Sequence, residues 1–504
     1  MAARLLVLGI DGASPGWVAG QIAAGELPEL ARIQERGCYG PLRSTPNMLS
    51  PSAWTSMVTG VNPGKHGIFG FFDRVPGTYR FRPSDARARA ADPWWVLASR
   101  AGLRTLTLNV PCSWPADAVN GVLVAGWLTP SPRVPGFTHP ADLATDLAAR
   151  FGAYPLHSDV QRLAAARRWD RLRARVVGNL RRKAQIACHL LARERWDLMT
   201  VVFTDTDAAQ HYCWHLTDRA HPEHDARLRA ATGDVVLAAY QELDRALPCL
   251  LAAADPDVLL IVSDHGCGPN GRAHLLLPEL LEARGWQVRR GEYVSRLCVA
   301  AQSLLPAGLK HRLGARRLGG RWDAVSRLLV GGIVWPRTRA FTAVFGGRAD
   351  LWLNIIGREP QGALAAADCP GLCAALQEAL LGWRHPQSGE ALVAALHHRD
   401  ALYRGPQLSL APDLLVQWQE DIKPVVGRRG APEAPQTGAH RREGLLLAAG
   451  AGIRRGEVSG AAVEDIMPTV LHLCGLPVPG YCDGRVLSDL LAEPPDVRID
   501  ADAY

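Results

Sequence analysis

Six short, mostly apolar runs, most of them followed directly by a polar residue, constrain this chain more than any other feature. They are Arg4–Ile10, Leu103–Val110, Leu198–Thr204, Val258–Ser263, Leu414–Trp418 and Leu445–Ala449. An unbroken apolar run of this length reads as a strand covered on both faces. Helical stretches lie between several of them, and such alternation predicts a mostly parallel sheet with helices on both faces. No run approaches the ~18 residues of a membrane helix, so no membrane span is expected. Apolar residues make up 48% and charged residues 21%, the balance of a globular chain rather than a disordered one. Leu5–Ile10 runs directly into Asp11, without the basic start and cleavage site of a secretory signal. The 11 cysteines are scattered without a CxxC pair, which fits a reducing compartment. A cytoplasmic protein is therefore expected.

Two regions interrupt the rhythm. Residues 158–195 read as one long helix, with Trp169, Leu172, Val176 and Leu180 at helical spacing and Arg162, Arg167, Arg171, Arg175 and Arg182 opposite. Residues 288–334 are rich in Arg, Gly and Leu with no clear strand. The expected organisation is a core of 1–127, 196–274 and 335–504, a helical insertion at 128–195 and a second insertion or lid at 275–334.

The acids sit where the runs end. Asp11 follows the first run, Asp205 and Asp207 the third, Asp264 and His265 the fourth. Ligands of open α/β sheets bind outside the carboxyl ends of the strands. Carboxylates gathered there repel one another unless cations join them. Asp207-Ala-Ala-Gln-His211 places two donors one turn apart on a helix face. His265 adjoins Asp264, Gly266 lets the chain turn, and His440 lies just before the last run. One D-x-x-x-H means little; several donors at strand ends in one chain mean more. Mixed Asp and His donors suit zinc, and manganese or iron less strongly.

The segment 50–67, SPSAWTSMVTGVNPGKHG, is dense in hydroxyls and opens a predicted helix over Ser52–Val58. A hydroxyl at a helix N-terminus, beside free N–H groups, suits a phosphoryl oxygen. Taken alone, such a serine is better explained by ordinary capping.

In this order, GIDGA at 9–13, SPSAWTSMVTGVNPGKHGIF at 50–69, TDTDAAQH at 204–211, SDHG at 263–266 and TGAHRREG at 437–444 resemble the type I phosphodiesterase/nucleotide pyrophosphatase family of the alkaline phosphatase superfamily. LNIIGREPQG at 353–362 and EDIMPTVLHLCGLPVPGYCDGRVL at 464–487 extend the resemblance to about residue 490. It implies an alkaline-phosphatase-like α/β core with insertions forming a cap, and a site for two divalent metal ions. By that resemblance Asp207, His211 and His440 hold one ion. Asp11, Asp264 and His265 hold the other, together with the nucleophile's oxygen. The family's nucleophile, usually Thr, lies ten residues before the Gly of the TG element, here Ser50. Ser52 is the rival, His66 reads as structural, and Asp205 as a supporting residue. The resemblance implies that Ser50 attacks phosphorus and water then releases the covalent intermediate.

The chain departs from the family at HGIFGFFD, where Gly70, Phe71 and Phe72 replace an Asn that usually helps hold the phosphoryl group. That weakens the expectation of a nucleotide substrate but not of the metal chemistry; the phenylalanines read as core. Neither Cys112-Ser-Trp-Pro nor Ser50-Pro-Ser-Ala matches the sulfatase pattern C/S-x-P-S-R. Hydrolysis of phosphodiester or pyrophosphate bonds in a small phosphate-ester substrate leads. Phosphomonoesterase or phosphotransferase activity is the alternative. A non-catalytic anion- or nucleic-acid-binding protein is a third reading, since 52 of the 56 basic residues are arginine. Only Trp169 interleaves with the helix arginines, too few aromatics for base stacking. No motif specifies an oligomeric state.

Overall fold

The computed structural model describes residues 3–156, 159–273, 277–290, 330–343, 350–385, 389–420, 422–424 and 436–501. These form two compact units. The first comprises Met1–Ile68, Asp85–Pro269 and Glu433–Tyr504; the second comprises Phe69–Ser84 and Asn270–Pro432.

The first unit is built on a ten-stranded sheet. Its main strands are β1 (Leu5–Ile10), β2 (Cys38–Arg43), β3 (Thr105–Leu108), β4 (Gly121–Val124), β5 (Leu198–Phe203), β6 (Val258–Val262) and, much later in the chain, β9 (Glu443–Gly450). A separate two-stranded ladder pairs β7 (Gly266–Pro269) with β8 (Gly438–Arg441). The five strands β6, β1, β5, β3 and β4 lie side by side and parallel. Every residue of β1, β5 and β6 is buried, which is why these strands read as continuous apolar runs rather than alternating ones. The run Leu445–Ala449 falls within β9, but β9 is antiparallel to both β2 and β6. The run Leu414–Trp418 belongs to the second unit, in a four-stranded sheet where its pairings are antiparallel. Burial makes a run apolar whatever its direction, so composition did not separate these two from the parallel set.

Five helices matter below: α1 (Ser50–Thr59), α2 (Val160–Ala165), α3 (Trp169–Leu191), α4 (Asp205–Thr217) and α5 (Val235–Ala254). The predicted single helix over 158–195 is thus two, broken where Arg167 takes a left-handed φ of 52°. Leu172, Val176 and Leu180 are buried, and Arg162, Arg167, Arg171, Arg175 and Arg182 are exposed, as their spacing requires. Several of these arginines are tied within the unit: Arg162 and Arg175 to Asp159, and Arg182 to the Phe151 carbonyl. Residues 128–137, at the start of the expected helical insertion, are irregular, whereas 291–329, most of the second irregular stretch, lie outside the described residues. Among the described residues no helix is long and apolar enough to cross a membrane.

In the second unit, Phe69 packs edge-on against Tyr403 with ring centres 5.4 Å apart. Phe72 joins an apolar cluster around Phe81, Phe341 and Trp352. Phe69 is buried, whereas Phe71 and Phe72 are half-buried, Phe72 lying against the edge of its cluster.

Candidate metal and active site

The carboxyl edge of the parallel strands carries the chemistry. Asp11 is the first residue after β1, and Asp264 and His265 occupy the step between β6 and β7. Asp207 lies in the first turn of α4, which begins two residues past β5, and His211 follows one turn later on the same face. The acids of that turn face the positive end of the helix dipole. His440 arrives differently, on β8, where the ladder sets it opposite Cys267. The structure thereby gathers two groups of three: Asp207, His211 and His440, and Asp11, Asp264 and His265.

The histidine tautomers follow from their partners. His211 donates Nδ1–H to the Gly438 carbonyl at 3.0 Å, His440 to Met48 at 2.6 Å and His265 to Gly266 at 2.9 Å. A carbonyl only accepts, so each Nδ1 carries the proton, and each neutral ring presents Nε2 as a bare lone pair. Yet His211 Nε2 and His440 Nε2 are 2.9 Å apart. Asp207 Oδ1 lies 3.3 Å from the first and 3.4 Å from the second. In the other group His265 Nε2 lies 3.3 Å from Asp264 Oδ2 and 3.7 Å from Asp11 Oδ1. Donors at ~2.0–2.1 Å from a tetrahedral zinc stand about 3.3 Å from one another. Asp11 Oδ1, Asp207 Oδ1 and Asp264 Oδ2 are all buried with no hydrogen-bond donor. Lone pairs facing lone pairs in a buried space repel unless a cation lies among them, so both groups fit a metal ion.

The electrostatics agree. Burial, reinforced by Asp264 and Asp207, pushes the Asp11 carboxyl well above its ordinary range. Burial and then Asp207 push Asp264 up to about 8. Burial and the neighbouring His440 hold His265 well below the usual imidazole range, keeping its ring neutral. Burial alone would raise Asp207, but positive charge at His211, His440 and His265, the place a bound cation would take, outweighs it and holds that carboxyl low.

Ser50 is the first residue of α1, and its Oγ lies 3.2 Å from His265 Nε2. The Ser52 hydroxyl is buried without a partner. Asp205 stands apart from both groups: it takes a 2.6 Å ion pair from Lys183 and a 3.0 Å hydrogen bond from Asn179. His66 is fully buried, 2.9 Å from Ser56 Oγ, and burial lowers it to about 3.

Sequence reasoning missed several supporting residues. Trp54 donates its indole N–H to Asp11 Oδ2 at 3.0 Å, leaving Oδ1 turned to His265. The signal was present, because Trp54 follows Ser50 by four residues and shares its helix face. Gly12 has a left-handed φ of 77°, which favours glycine at the turn between Asp11 and α4. Gly266 turns out to be a strand residue rather than a turn. Its missing Cβ leaves room for the Glu443 carbonyl, which a side chain would meet at 2.2 Å.

Residues 5–312 match the family described as type I phosphodiesterase/nucleotide pyrophosphatase. No curated protein matches the chain. Among solved structures, murine ectonucleotide pyrophosphatase/phosphodiesterase 5, in an inactive form in complex with AMP, has a TM-score of 0.55 at 12% identity, over 97% of this chain and 100% of that one. Phosphonoacetate hydrolase from Sinorhizobium meliloti 1021, in complex with phosphonoacetate, has a TM-score of 0.57 at 15% identity, over 94% of this chain and 96% of that one. At these identities the likeness establishes the fold: the mixed α/β, alkaline-phosphatase-like core with its large, mostly parallel sheet.

Proposed function

The chain belongs to the type I phosphodiesterase/nucleotide pyrophosphatase family, a metal-dependent family of phosphate-ester hydrolases, and from that premise we propose that it hydrolyses phosphodiester or pyrophosphate bonds with Ser50 as nucleophile. Asp207, His211 and His440 would hold one divalent cation, and Asp11, Asp264 and His265, with the Ser50 hydroxyl, the other. One observation carries this reading. Three imidazole Nε2 lone pairs and three unpartnered carboxylate oxygens converge, in two groups, around a buried serine at a helix start. Zinc is the proposed ion, on the mixed Asp and His donors, ahead of manganese and iron.

Two bound cations supply Lewis acidity at the attacking and leaving oxygens of an in-line displacement. The chain's own residues do the rest. Trp54 fixes the Asp11 carboxylate, and three main-chain carbonyls fix the three imidazoles, so the donor atoms are oriented before substrate arrives. Ser50 forms the bond to phosphorus as the ester oxygen departs, and water then releases the phosphoryl group from the serine. The substrate is proposed to be a small phosphate ester. A reducing, cytoplasmic setting is proposed because none of the ten described cysteines is in a disulfide.

The test compares purified, metal-loaded protein on bis(p-nitrophenyl) phosphate, p-nitrophenyl phosphate and dinucleotide esters. The diester is expected to turn over faster. Preference for the monoester would replace this reading with a phosphomonoesterase, and fewer than two ions per chain by elemental analysis would defeat the two-metal site.

A further inference from the structure

His440 reaches the site from a strand far from the other donors in sequence, so something must hold that strand in place. Its first residue, Gly438, and the residue before it, Thr437, are gripped by histidines of α4 and the turn beyond it. Thr437 is 2% exposed, and each of its polar atoms is engaged. Its N–H donates to the His211 carbonyl at 2.7 Å. Its carbonyl accepts from His221 Nε2 at 3.1 Å. Its Oγ1 shares a hydrogen bond of 3.1 Å with His215 Nδ1. His221 Nδ1 accepts the Glu223 N–H at 3.0 Å, which leaves the proton on Nε2, where Thr437 needs a donor. His215 and His221 are themselves 5% and 4% exposed. His215 is fixed further by Trp169, edge-on at 5.3 Å, and by His224, whose Nδ1 donates to the His215 carbonyl at 2.7 Å.

We propose that His215 and His221 are positioning residues: through Thr437 they hold β8 against α4, and so set the distance between His440 Nε2 and the His211–Asp207 pair. This rests on the metal site proposed above. His211 lies one helical turn before His215, so one face of α4 carries a metal donor and then the clamp for the strand that brings another. Neither clamp residue touches the second group, Asp11, Asp264 and His265, among the contacts described.

The clamp therefore has a selective signature. Loosening it should weaken the site of Asp207, His211 and His440 more than the other, which His440 meets only by stacking on the His265 ring, centres 3.6 Å apart. Partners that orient metal ligands typically change affinity by about 10- to 100-fold when removed. Cobalt(II) titration of the chelated protein, followed by its visible absorption, should resolve two binding steps in the wild type. Thr437→Val, which keeps shape but removes the Oγ1 bond, and His221→Leu should each weaken one step by about 10- to 100-fold and the other by clearly less. His221→Gln, which restores an N–H donor for the Thr437 carbonyl, should recover much of the loss. Melting of the metal-free variants shows whether each is folded. Two unchanged steps in folded Thr437→Val and His221→Leu overturn the inference, as does equal weakening of both steps. A wild type that binds fewer than two ions fails the metal-site reading instead.

Discussion

At the scale of single residues, the site depends on where a few protons and lone pairs are. Ser50→Ala should abolish turnover while elemental analysis still finds two ions per chain. Unchanged turnover would move the nucleophile to Ser52. Trp54→Phe keeps an aromatic ring but removes the indole donor to Asp11 Oδ2. A buried acceptor left without its donor costs about 1–3 kcal/mol, and metal affinity should fall about 10- to 100-fold in a chelator competition. Equal affinities would remove Trp54 from the site. Asp264 gives a pH test. In the metal-free protein its carboxyl is pushed up to about 8 against an ordinary 3.8, by burial first and Asp207 second. The stabilising contribution of that proton is complete below the unfolded value and is lost as pH rises through the folded one. Metal-free wild type should therefore lose stability relative to Asp264→Asn between about pH 4 and 8. Metal affinity should rise over the same window, because the carboxyl must give up its proton to bind. Parallel melting curves for the two chelated proteins would contradict this.

At the scale of elements, α4 carries two kinds of charge. Asp207 turns to the metal donors, whereas Asp205, two residues earlier, faces Lys183 on α3. Their side chains are each 4% exposed, so the pair is fully desolvated. Lys183→Met should destabilise the protein by about 3–5 kcal/mol, because it strands a buried carboxylate. Adding Asp205→Asn should return much of that. Urea unfolding measures both, and a Lys183→Met loss below about 1 kcal/mol would show that Asp205 finds water or a proton instead. Much of this scale was legible in the sequence. The i, i+4 spacing of Asp207 and His211 needs only a helix, and α4 supplies it. The runs that became β1, β5 and β6 needed only burial on both faces. Less legible was direction: β9 and the strand Leu414–Trp418 carry the same apolar signal but pair antiparallel, the latter in a different sheet. Nor did helical periodicity show the break at Arg167, where the backbone alone changes hand.

At the scale of the whole molecule, the six candidate donors span residues 11 to 440, so a bound cation ties together segments that the unfolded chain holds apart. Ligand binding to the folded state alone adds about 2.7 kcal/mol per site at a hundred times Kd. Chelation should lower Tm, and restored zinc should raise it in a concentration-dependent way. A Tm indifferent to both would mean that the donors hold no metal. The sequence by itself determined which residues stand at strand ends and which share a helix face, because those relations are set within a few residues by backbone geometry. It also carried the motif order that identifies the family. Through that resemblance it also grouped His440 with His211, but only the tertiary structure decided how close their Nε2 atoms stand, that Trp54 reaches Asp11 and that Thr437 is clamped from α4. The physical reason is that these contacts join segments up to hundreds of residues apart. Their distances depend on strand order, register and packing, which no local window of sequence contains.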